Sequence, residues 1–509
     1  MRRAALASFA LVFLAANSAL AGDVDADLSS YQAALAALQP GDTLHLAAGK
    51  YPALFIANLS GTETSPIVIA GDPGGGTVIE GDPGNNTVEI VESSHVTVRN
   101  LVVDSKGLDG VFGLSAKDGT NNHVHHITVE GCTFAGQGAS QQTVGISTKT
   151  PTWGWVIRGN VIDGAGTGMY LGNSDGTLPF VAGIIEHNLI RDTIGYNAQI
   201  KWQAAWPAGA GLPMGPNRTI LRDNVFIKND QPSPDGDRPN LLIGGSPTSG
   251  PGSQDLYEIY GNFFFHNPRE ALLQVAGRVT IHDNVFVDGK LPAIVAQSHD
   301  LPLVLARVYN NTVYTAGTGI HFGSAAPEGD FVVGNLVFAA TPIDGTIANQ
   351  HDNLTDAMGS AGMHVNAPSL VLGTMDFYPK AGKATGAPMD LSAAAGDTGW
   401  DRDFNGTPKS TYTFRGAYAG EGVNPGWALG EGLKTAGSGG SGSGSSSSSG
   451  GMGGAGGEGG SGGAGSGGGE SEASGCGCVL AGAEERAPAS VLGALFALAG
   501  AVLARRRRR

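Results

Sequence analysis

Short runs in which polar and apolar residues alternate recur along the middle of the chain. The clearest is "YNAQIKWQ" at 196–203, where polar residues at 197, 199, 201 and 203 alternate with apolar ones. Successive side chains of a strand point to opposite faces, so this run predicts one strand with a wet outward face. No helical pattern of ten or more residues lies between these runs, which excludes alternating β/α folds and helical repeats.

A turn motif sets the period of the chain. Stretches such as "RGNVI", "EHNLI", "RDNVF" and "HDNVF" recur nine times, and the key residue is Asn in eight of them. The key positions are 100, 132, 160, 188, 224, 262, 284, 311 and 335, and Cys132 fills the exception. Steps of 22–38 residues indicate a constant coil with loops of varying length.

These patterns predict an all-β fold, a single-stranded right-handed parallel β-helix with an N-terminal capping helix. The recurring Asn side chains would form an internal ladder at a turn, with each residue tolerating a left-handed backbone. The alternative is a β-propeller, but its blades need about 40 residues at regular spacing. The helix is expected just after residue 28, with Ser29 or Ser30 as N-cap. Its apolar face would consist of Leu28, Tyr31, Leu35 and Leu38.

The two ends of the chain predict export. Residues 1–21 read as a signal peptide, with a basic start, an apolar run and a small-residue cleavage site. Residues 436–475 are almost entirely Gly and Ser and predict a flexible linker. Residues 476–509 carry Cys476 and Cys478, an apolar segment that can just span a bilayer, and five terminal arginines.

The order of cysteine motif, membrane segment and arginine cluster resembles the MYXO-CTERM sorting signal of myxobacteria. The resemblance implies processing near Cys476 and Cys478 by a sorting protease and delivery to the cell surface. A plain C-terminal membrane anchor is the alternative. Either outcome makes this an exported bacterial protein that contacts a membrane through its C-terminal segment before processing.

The folded body, residues 22–435, is strongly acidic. It carries 22 Lys and Arg against 40 Asp and Glu, a net charge of −18. This argues against a nucleic-acid partner. Cys132 is the single cysteine of the body, so no disulfide can form within it. We expect a monomer that relies on its repeat core for stability.

The opening of the body resembles a known superfamily. The helix, "QPGDTLHLAAGKY", "GTETSPIVIAGD" and the Asn-centred coils resemble the pectate-lyase-like β-helix superfamily, closest to chondroitinase-B-like and alginate-lyase-like polysaccharide lyases. The resemblance covers roughly residues 27–420. It implies an extracellular polysaccharide as partner.

Candidate site residues come from the strand that lies between successive Asn positions. The predicted outward column contains Lys149, Tyr170, Gln199, Lys201, Arg238, Asn240, Glu270, Gln274, Gln297 and His321. The long loop 203–217 carries Trp206, which could stack on a sugar ring. A row of amides, an aromatic ring and charges suits an extended glycan.

The resemblance implies β-elimination. A base removes the C5 proton of a uronate whose carboxylate is neutralised by Arg or by Ca²⁺. Lys201 is the candidate base and Arg238 the candidate neutralising group, with Ca²⁺ as the cofactor that the chemistry allows. Solvated surface positions are the alternative for both residues.

Two other functions stay open. One is a non-catalytic β-helix for glycan binding or adhesion, and the other is a glycoside hydrolase, which needs two carboxylates about 5–10 Å apart. Outward carboxylates are sparse, with Glu270 the main one. His123, His125 and His126 have alternating spacing, but no further ligand is evident, so no metal site is predicted there.

Overall fold

Three long parallel sheets form the body of the protein. The computed structural model describes residues 22–117, 123–207 and 211–435. Each coil contributes one strand to sheet A, one to sheet B and one to sheet C, and each strand pairs with its counterpart in the next coil. The fold is a right-handed parallel β-helix, as the sequence predicts.

Sheet A has 13 strands. They are Asp23–Ala26, Thr43–Leu46, Ile67–Ala70, Ser94–Arg99, His125–Glu130, Val156–Arg158, Ile184–Glu186, Arg218–Arg222, Leu256–Tyr260, Gly277–His282, Leu303–Tyr309, Asp330–Val333 and Gln350–His351. Sheet B has 12 strands. They are Gly49–Tyr51, Thr77–Glu80, Val102–Asp104, Thr133–Ala135, Val161–Asp163, Leu189–Arg191, Val225–Ile227, Phe263–Asn267, Val285–Gly289, Thr312–Tyr314, Leu336–Phe338 and Leu354–Asp356.

Sheet C has 11 strands. They are Leu54–Ala57, Val88–Val91, Leu114–Lys117, Val144–Lys149, Thr167–Leu171, Ala198–Ile200, Leu241–Ile243, Leu273–Val275, Ile294–Ala296, Thr318–Phe322 and Thr341–Gly345. Two small sheets pair Thr152–Trp153 with Phe180–Val181, and Val365–Ala367 with Asp376–Pro379. The helices of the described residues are the α-helix Tyr31–Ala37 and the 3₁₀ turns Met358–Met363 and Ser392–Ala394.

The inward side chains of the three sheets stack into one core. In sheet B, Phe226, Phe264 and Phe286 of successive coils stack with ring centroids 4.9 and 4.6 Å apart. Branched aliphatic residues fill the equivalent positions of sheets A and C, and these side chains are fully buried. The short period-2 runs of the sequence therefore supply one buried column per sheet.

The asparagine ladder lies at the turn between sheets A and B. The amide of Asn188 donates to Oδ1 of Asn224 at 2.9 Å, and Asn224 donates in turn to Asn262 at 2.9 Å. The same bond links every neighbouring pair of ladder residues from Asn160 to Asn353. The predicted ladder is confirmed, and it extends one coil beyond the last predicted position, to Asn353.

Two details of the predicted ladder are wrong. The strand register aligns Leu101, not Asn100, with Cys132 and Asn160. The left-handed residue is the one before each ladder position, such as Asn100 (φ 57°) or His187 (φ 54°). In "RNLVV", the Asn occupies the left-handed position, one residue before the ladder position. The motif does not distinguish the two positions, because Asn suits both.

The N-terminal helix begins as predicted but is capped differently. Tyr31, Leu35 and Leu38 are buried, whereas Leu28 is 57 % exposed and lies outside the apolar face. Neither serine side chain caps the helix. The carboxylate of Asp27 instead accepts hydrogen bonds from the backbone N–H groups of Ser29 and Ser30, and these and the two hydroxyl hydrogen bonds lower the pKa of Asp27.

The outer face of sheet B is covered by the chain itself. Its outward side chains Val225, Phe263, Val285 and Leu336 pack against residues of the segment 361–433 in a second apolar cluster. Lys434 fixes this segment, donating from Nζ to Asp223 Oδ1 at 2.7 Å. Sheet B therefore offers no open face at these coils.

Candidate functional site

The outer face of sheet C carries two columns of side chains that the register defines. The central column consists of Ser115, Ser147, Tyr170, Gln199, Leu242, Gln274, Val295, His321 and Asp344. The lysine column lies two residues further along each strand. It consists of Lys117, Lys149, Gly172, Lys201, Gly244, Ala276 and Gln297.

Three lysines stand in the lysine column, but their surroundings differ. Lys117 forms an ion pair with Glu89, 3.2 Å away. Lys149 lies over the ring of Tyr170, with Nζ 3.6 Å from the ring centroid. Lys201 is 9 % exposed. No described carboxylate lies within ion-pairing distance of Lys149 or Lys201.

Burial acts directly on Lys149. Removal of water around the ammonium, with the like charge of Lys201 as the second cause, lowers the pKa of Lys149 from 10.5 to about 8. A share of this amine is therefore neutral at mildly alkaline pH and can accept a proton. The cation–π contact with Tyr170 holds the side chain in place.

Gly172 separates the two lysines. It occupies the coil between them and has φ +88°, so the backbone favours glycine. A Cβ at this position would lie 3.4 Å from Cβ of Lys201. The glycine leaves a gap between two ammonium groups that are two coils apart, about 10 Å along the axis.

The centre of the central column is buried and polar. Gln199 is 4 % exposed and Gln274 is 3 % exposed. Nε2 of Gln274 and Oγ of Ser147 are buried without a hydrogen-bond partner among the described residues. Unpaired buried polar groups are costly, which indicates that this face is shaped for a polar ligand. At the far end, His321 Nδ1 lies 2.6 Å from Asp344, and Gln297 is half-buried.

Arg238 does not join Lys201. Its guanidinium donates to the carbonyl oxygens of Asp237 and Asp235 in its own loop, at 2.9 Å each. The register places Arg238 opposite Gly195, six residues from Lys201 and therefore about 20 Å away along the strand. The expected pairing of these two residues at one site is wrong, because Arg238 lies at the opposite edge of sheet C.

Asn240 and Trp206 lie elsewhere than the alternation suggested. Asn240 is fully buried, and its amide accepts a hydrogen bond from Asn267 at 2.9 Å in the turn before sheet C. Trp206 is 5 % exposed and packs against Val181 and Leu212. Neither side chain is on the outward face: turn hydrogen bonding overrides strand alternation at Asn240, and apolar packing within its loop buries Trp206.

A second group of charges surrounds Arg238. The Nζ of Lys228 donates to the carbonyl oxygen of Arg238 at 3.1 Å, and burial lowers the pKa of Lys228 to about 8. Burial raises the pKa of Glu270, which lies in the same group. These three side chains are each at most 9 % exposed. The group braces the loop 228–239 and leaves little room for a substrate.

The structure brings together one set of three possible metal ligands among the described residues. It is formed by His95, His125 and His126. No such set contains carboxylates in residues 22–117, 123–207 and 211–435, and Ca²⁺ prefers oxygen ligands. The described residues therefore form no carboxylate cluster that could serve as the expected Ca²⁺ site.

Comparisons with known proteins concern the fold. No protein-family model matches the chain, and no curated protein matches it. Among solved structures, the chain is similar to an alginate lyase from Paenibacillus sp. str. FPU-7, with 16% identity and TM-score 0.40 over 66% of this chain and 99% of that one. It is also similar to pectate lyase Pel9A, with 15% identity and TM-score 0.41 over 82% and 97% of the two chains.

A third similar structure is the PL6 family alginate lyase AlyGC, with 15% identity and TM-score 0.43. The match covers 65% of this chain, and this chain spans about half (51%) of that lyase. The predicted signal peptide, linker and sorting signal lie outside the described residues. Among the residues that are described, no helix is long and apolar enough to cross a membrane.

Proposed function

We propose that this protein binds an extended uronate polysaccharide along the outer face of sheet C and cleaves it by β-elimination. The observation that carries the proposal is the pair of ammonium groups of Lys149, which is half-buried, and Lys201, which is 9 % exposed. Neither has a carboxylate partner among the described residues, although the protein is acidic. Buried charges in proteins are normally paired. A carboxylate of the substrate supplies the missing partner.

The two lysines take different roles. Lys201 neutralises the uronate carboxylate, which makes the C5 proton more acidic. Lys149 in its neutral form removes that proton, because burial lowers its pKa and leaves a share of the amine unprotonated at mildly alkaline pH. The electron pair forms the C4–C5 double bond and expels the C4 oxygen, which is protonated by solvent. This assigns the base to Lys149 in place of Lys201, the candidate base taken from the resemblance to polysaccharide lyases.

The test is ultraviolet absorbance of the unsaturated uronate during incubation with a panel of uronate polymers. Lys149→Arg keeps the charge but is too basic to accept a proton, so we expect binding to persist and the rate to fall at least about 100-fold. Lys201→Met should raise KM at least about tenfold. Lys106→Met is the control, since Lys106 lies in the turn after the sheet B strand Val102–Asp104, 3.7 Å from Glu80.

The alternative function is non-catalytic glycan binding on the same face. It is supported if polymers bind without elimination and Lys149→Met releases them. A chain that neither binds nor cleaves any uronate polymer would overturn both functions. A glycoside hydrolase is disfavoured, because Glu270 is committed to the loop group around Arg238 and faces no second outward carboxylate of the central column.

We also propose that the chain is exported and tethered at the cell surface. The support is the order of signal peptide, Gly/Ser linker and cysteine-containing sorting signal in the sequence. Mass spectrometry of the mature protein should find the N-terminus near residue 22 and a C-terminus near Cys476 or Cys478. Full-length chains that keep residues 1–21 would contradict export by this route.

A further inference from the structure

Four histidines gather at the beginning of two neighbouring sheet A strands. His95 lies in one coil, and His123, His125 and His126 lie in the next, 28–31 residues later. The register pairs His125 with Ser94 and Ile127 with Val96, so His126 lies opposite His95. The β-helix thus brings together imidazoles that are distant in sequence.

The backbone turns these rings toward one point. His95 and His126 both have φ 52°, a conformation that few non-glycine residues adopt. In a regular strand, His125 and His126 would point to opposite faces. Because the left-handed residue breaks the alternation, the two rings lie 4.9 Å apart and their Nδ1 atoms 2.7 Å apart. The ring of His95 stacks on His126 at 4.5 Å.

The next coil leaves room for the cluster and supports it. The residue after His95 and His126 in the left-handed column is Gly154, with φ +65°. A Cβ on Gly154 would lie 2.7 Å from Cδ2 of His126, so only glycine admits this imidazole. Trp153 stacks on His125 with centroids 4.2 Å apart and an interplanar angle of 12°. Gly154 and Trp153 of the next coil therefore support the cluster on one side, and the cluster is open to solvent at His126, which is exposed.

We propose that His95, His125 and His126 bind a borderline divalent cation, with Zn²⁺ as the ion of choice. One nitrogen of each ring lies within 4.8 Å of the others, close enough for small ring rotations to bring them around one ion at about 2.1 Å. Three imidazoles and an open position suit Zn²⁺, whereas Ca²⁺ and Mg²⁺ prefer oxygen. The ion replaces the Nδ1–Nδ1 hydrogen bond and joins two coils.

This site is separate from the proposed polysaccharide face. It lies on sheet A, and none of its ligands belongs to the central or the lysine column. Its sequence signature was incomplete, because "HVHH" supplies ligands from one coil only and His95 comes from the coil before. The expectation that this stretch holds no metal is thus replaced by a site that spans two coils.

The test is calorimetric titration of the purified full chain, carrying no histidine tag, with Zn²⁺. We expect one ion per chain and a rise of the melting temperature. His126→Asn and His95→Asn keep residues that tolerate a left-handed backbone, and each should weaken binding more than about 100-fold, beyond what loss of an outer-sphere partner costs. His45→Asn is the control, since His45 lies 3.2 Å from Asp23 at the far N-terminal coil.

Two results would overturn the site. One is the absence of a stoichiometric heat signal with the folded wild-type chain. The other is Zn²⁺ binding that survives both His95→Asn and His126→Asn. Co²⁺ in place of Zn²⁺ gives a second readout, because its visible spectrum reports nitrogen ligation in a near-tetrahedral site, and that spectrum should vanish in both variants while persisting in His45→Asn.

Discussion

The outer faces of sheets B and C are both largely buried, but by different means. On sheet B, apolar side chains such as Phe263 and Val285 pack under the C-terminal segment of the same chain. On sheet C, buried positions include Gln199, Gln274 and Lys201, and Nε2 of Gln274 has no hydrogen-bond partner among the described residues. The covered face of sheet B therefore contributes stability, whereas the outer face of sheet C retains a buried polar group whose hydrogen bonding a ligand can complete.

The largest loss of stability is expected from removing an aromatic ring from the C-terminal segment that covers sheet B. Phe377 is fully buried there and packs 5.2 Å from the ring of Tyr314. Phe377→Ala should lower the free energy of unfolding by about 3–5 kcal/mol, measured by denaturant titration. Val423→Ala on the same segment is the control, because Val423 is 89% exposed and should change stability by less than about 0.5 kcal/mol.

Two lysine-to-methionine changes compare the faces directly. Lys434 donates to Asp223 and to the carbonyl oxygens of Gly261 and Phe404, so Lys434→Met should cost about 3 kcal/mol by leaving these partners unpaired. Lys201→Met removes a buried charge that has no ion-pair partner in the part of the chain that the structure describes, and we expect unchanged or higher stability. Thermal and denaturant unfolding measure the stability of both variants. Equal losses of stability would contradict the proposed difference between the two faces.

Two substitutions with smaller expected effects exchange the character of the two faces, making sheet C more apolar and sheet B more polar. Gln274 stands between Leu242 and Val295 in the central column, and its Nε2 lacks a partner. Gln274→Leu should raise the free energy of unfolding by about 1 kcal/mol while weakening polysaccharide binding. Val285→Thr on sheet B should instead cost about 1–2 kcal/mol, since it buries a hydroxyl under an apolar cover. Opposite signs in chemical unfolding are the expected outcome.

The smallest effect is a pH dependence from Lys149. Its pKa is lowered in the folded state, so the unfolded chain binds more protons between pH 8 and 10.5, and stability rises with pH through this window. The difference in unfolding free energy between wild type and Lys149→Met should therefore shift by on the order of 1 kcal/mol from pH 7 to pH 10 in favour of wild type. Lys228 titrates in both proteins and cancels, and a pH-independent difference would show that Lys149 is not desolvated.

The fold was predictable because its signals are local and repeated. Successive coils from Asn160 to Asn353 carry an Asn at the turn between sheets A and B, so the period and the ladder follow from the sequence. The one-residue error at Asn100 shows the limit of such motifs, since Asn suits both the ladder and the left-handed position before it.

The site was predictable only in part. Alternation found Tyr170, Gln199 and Gln274 on sheet C, where the register places them. It failed for Arg238 and Asn240, and the loop prediction failed for Trp206, because their positions depend on how loops and turns fold back, which strand periodicity does not encode. The lowered pKa of Lys149 and the convergence of His95 with His126 arise from contacts between coils, and a linear pattern carries no record of them.

The asparagine ladder also bears on how such a molecule could change in length. The hydrogen bonds of the ladder amides reach no further than the adjacent coils: Asn188, for example, donates to Asn224 of the next coil and to the carbonyl oxygen of Ile157 in the coil before. An additional coil with one Asn in the right place would restore every bond that its insertion breaks. Duplication of a coil-sized gene fragment would therefore lengthen the outer face of sheet C in steps of about 4.8 Å. Under the proposed function, the number of sugar units that bind there would change without redesign of the core.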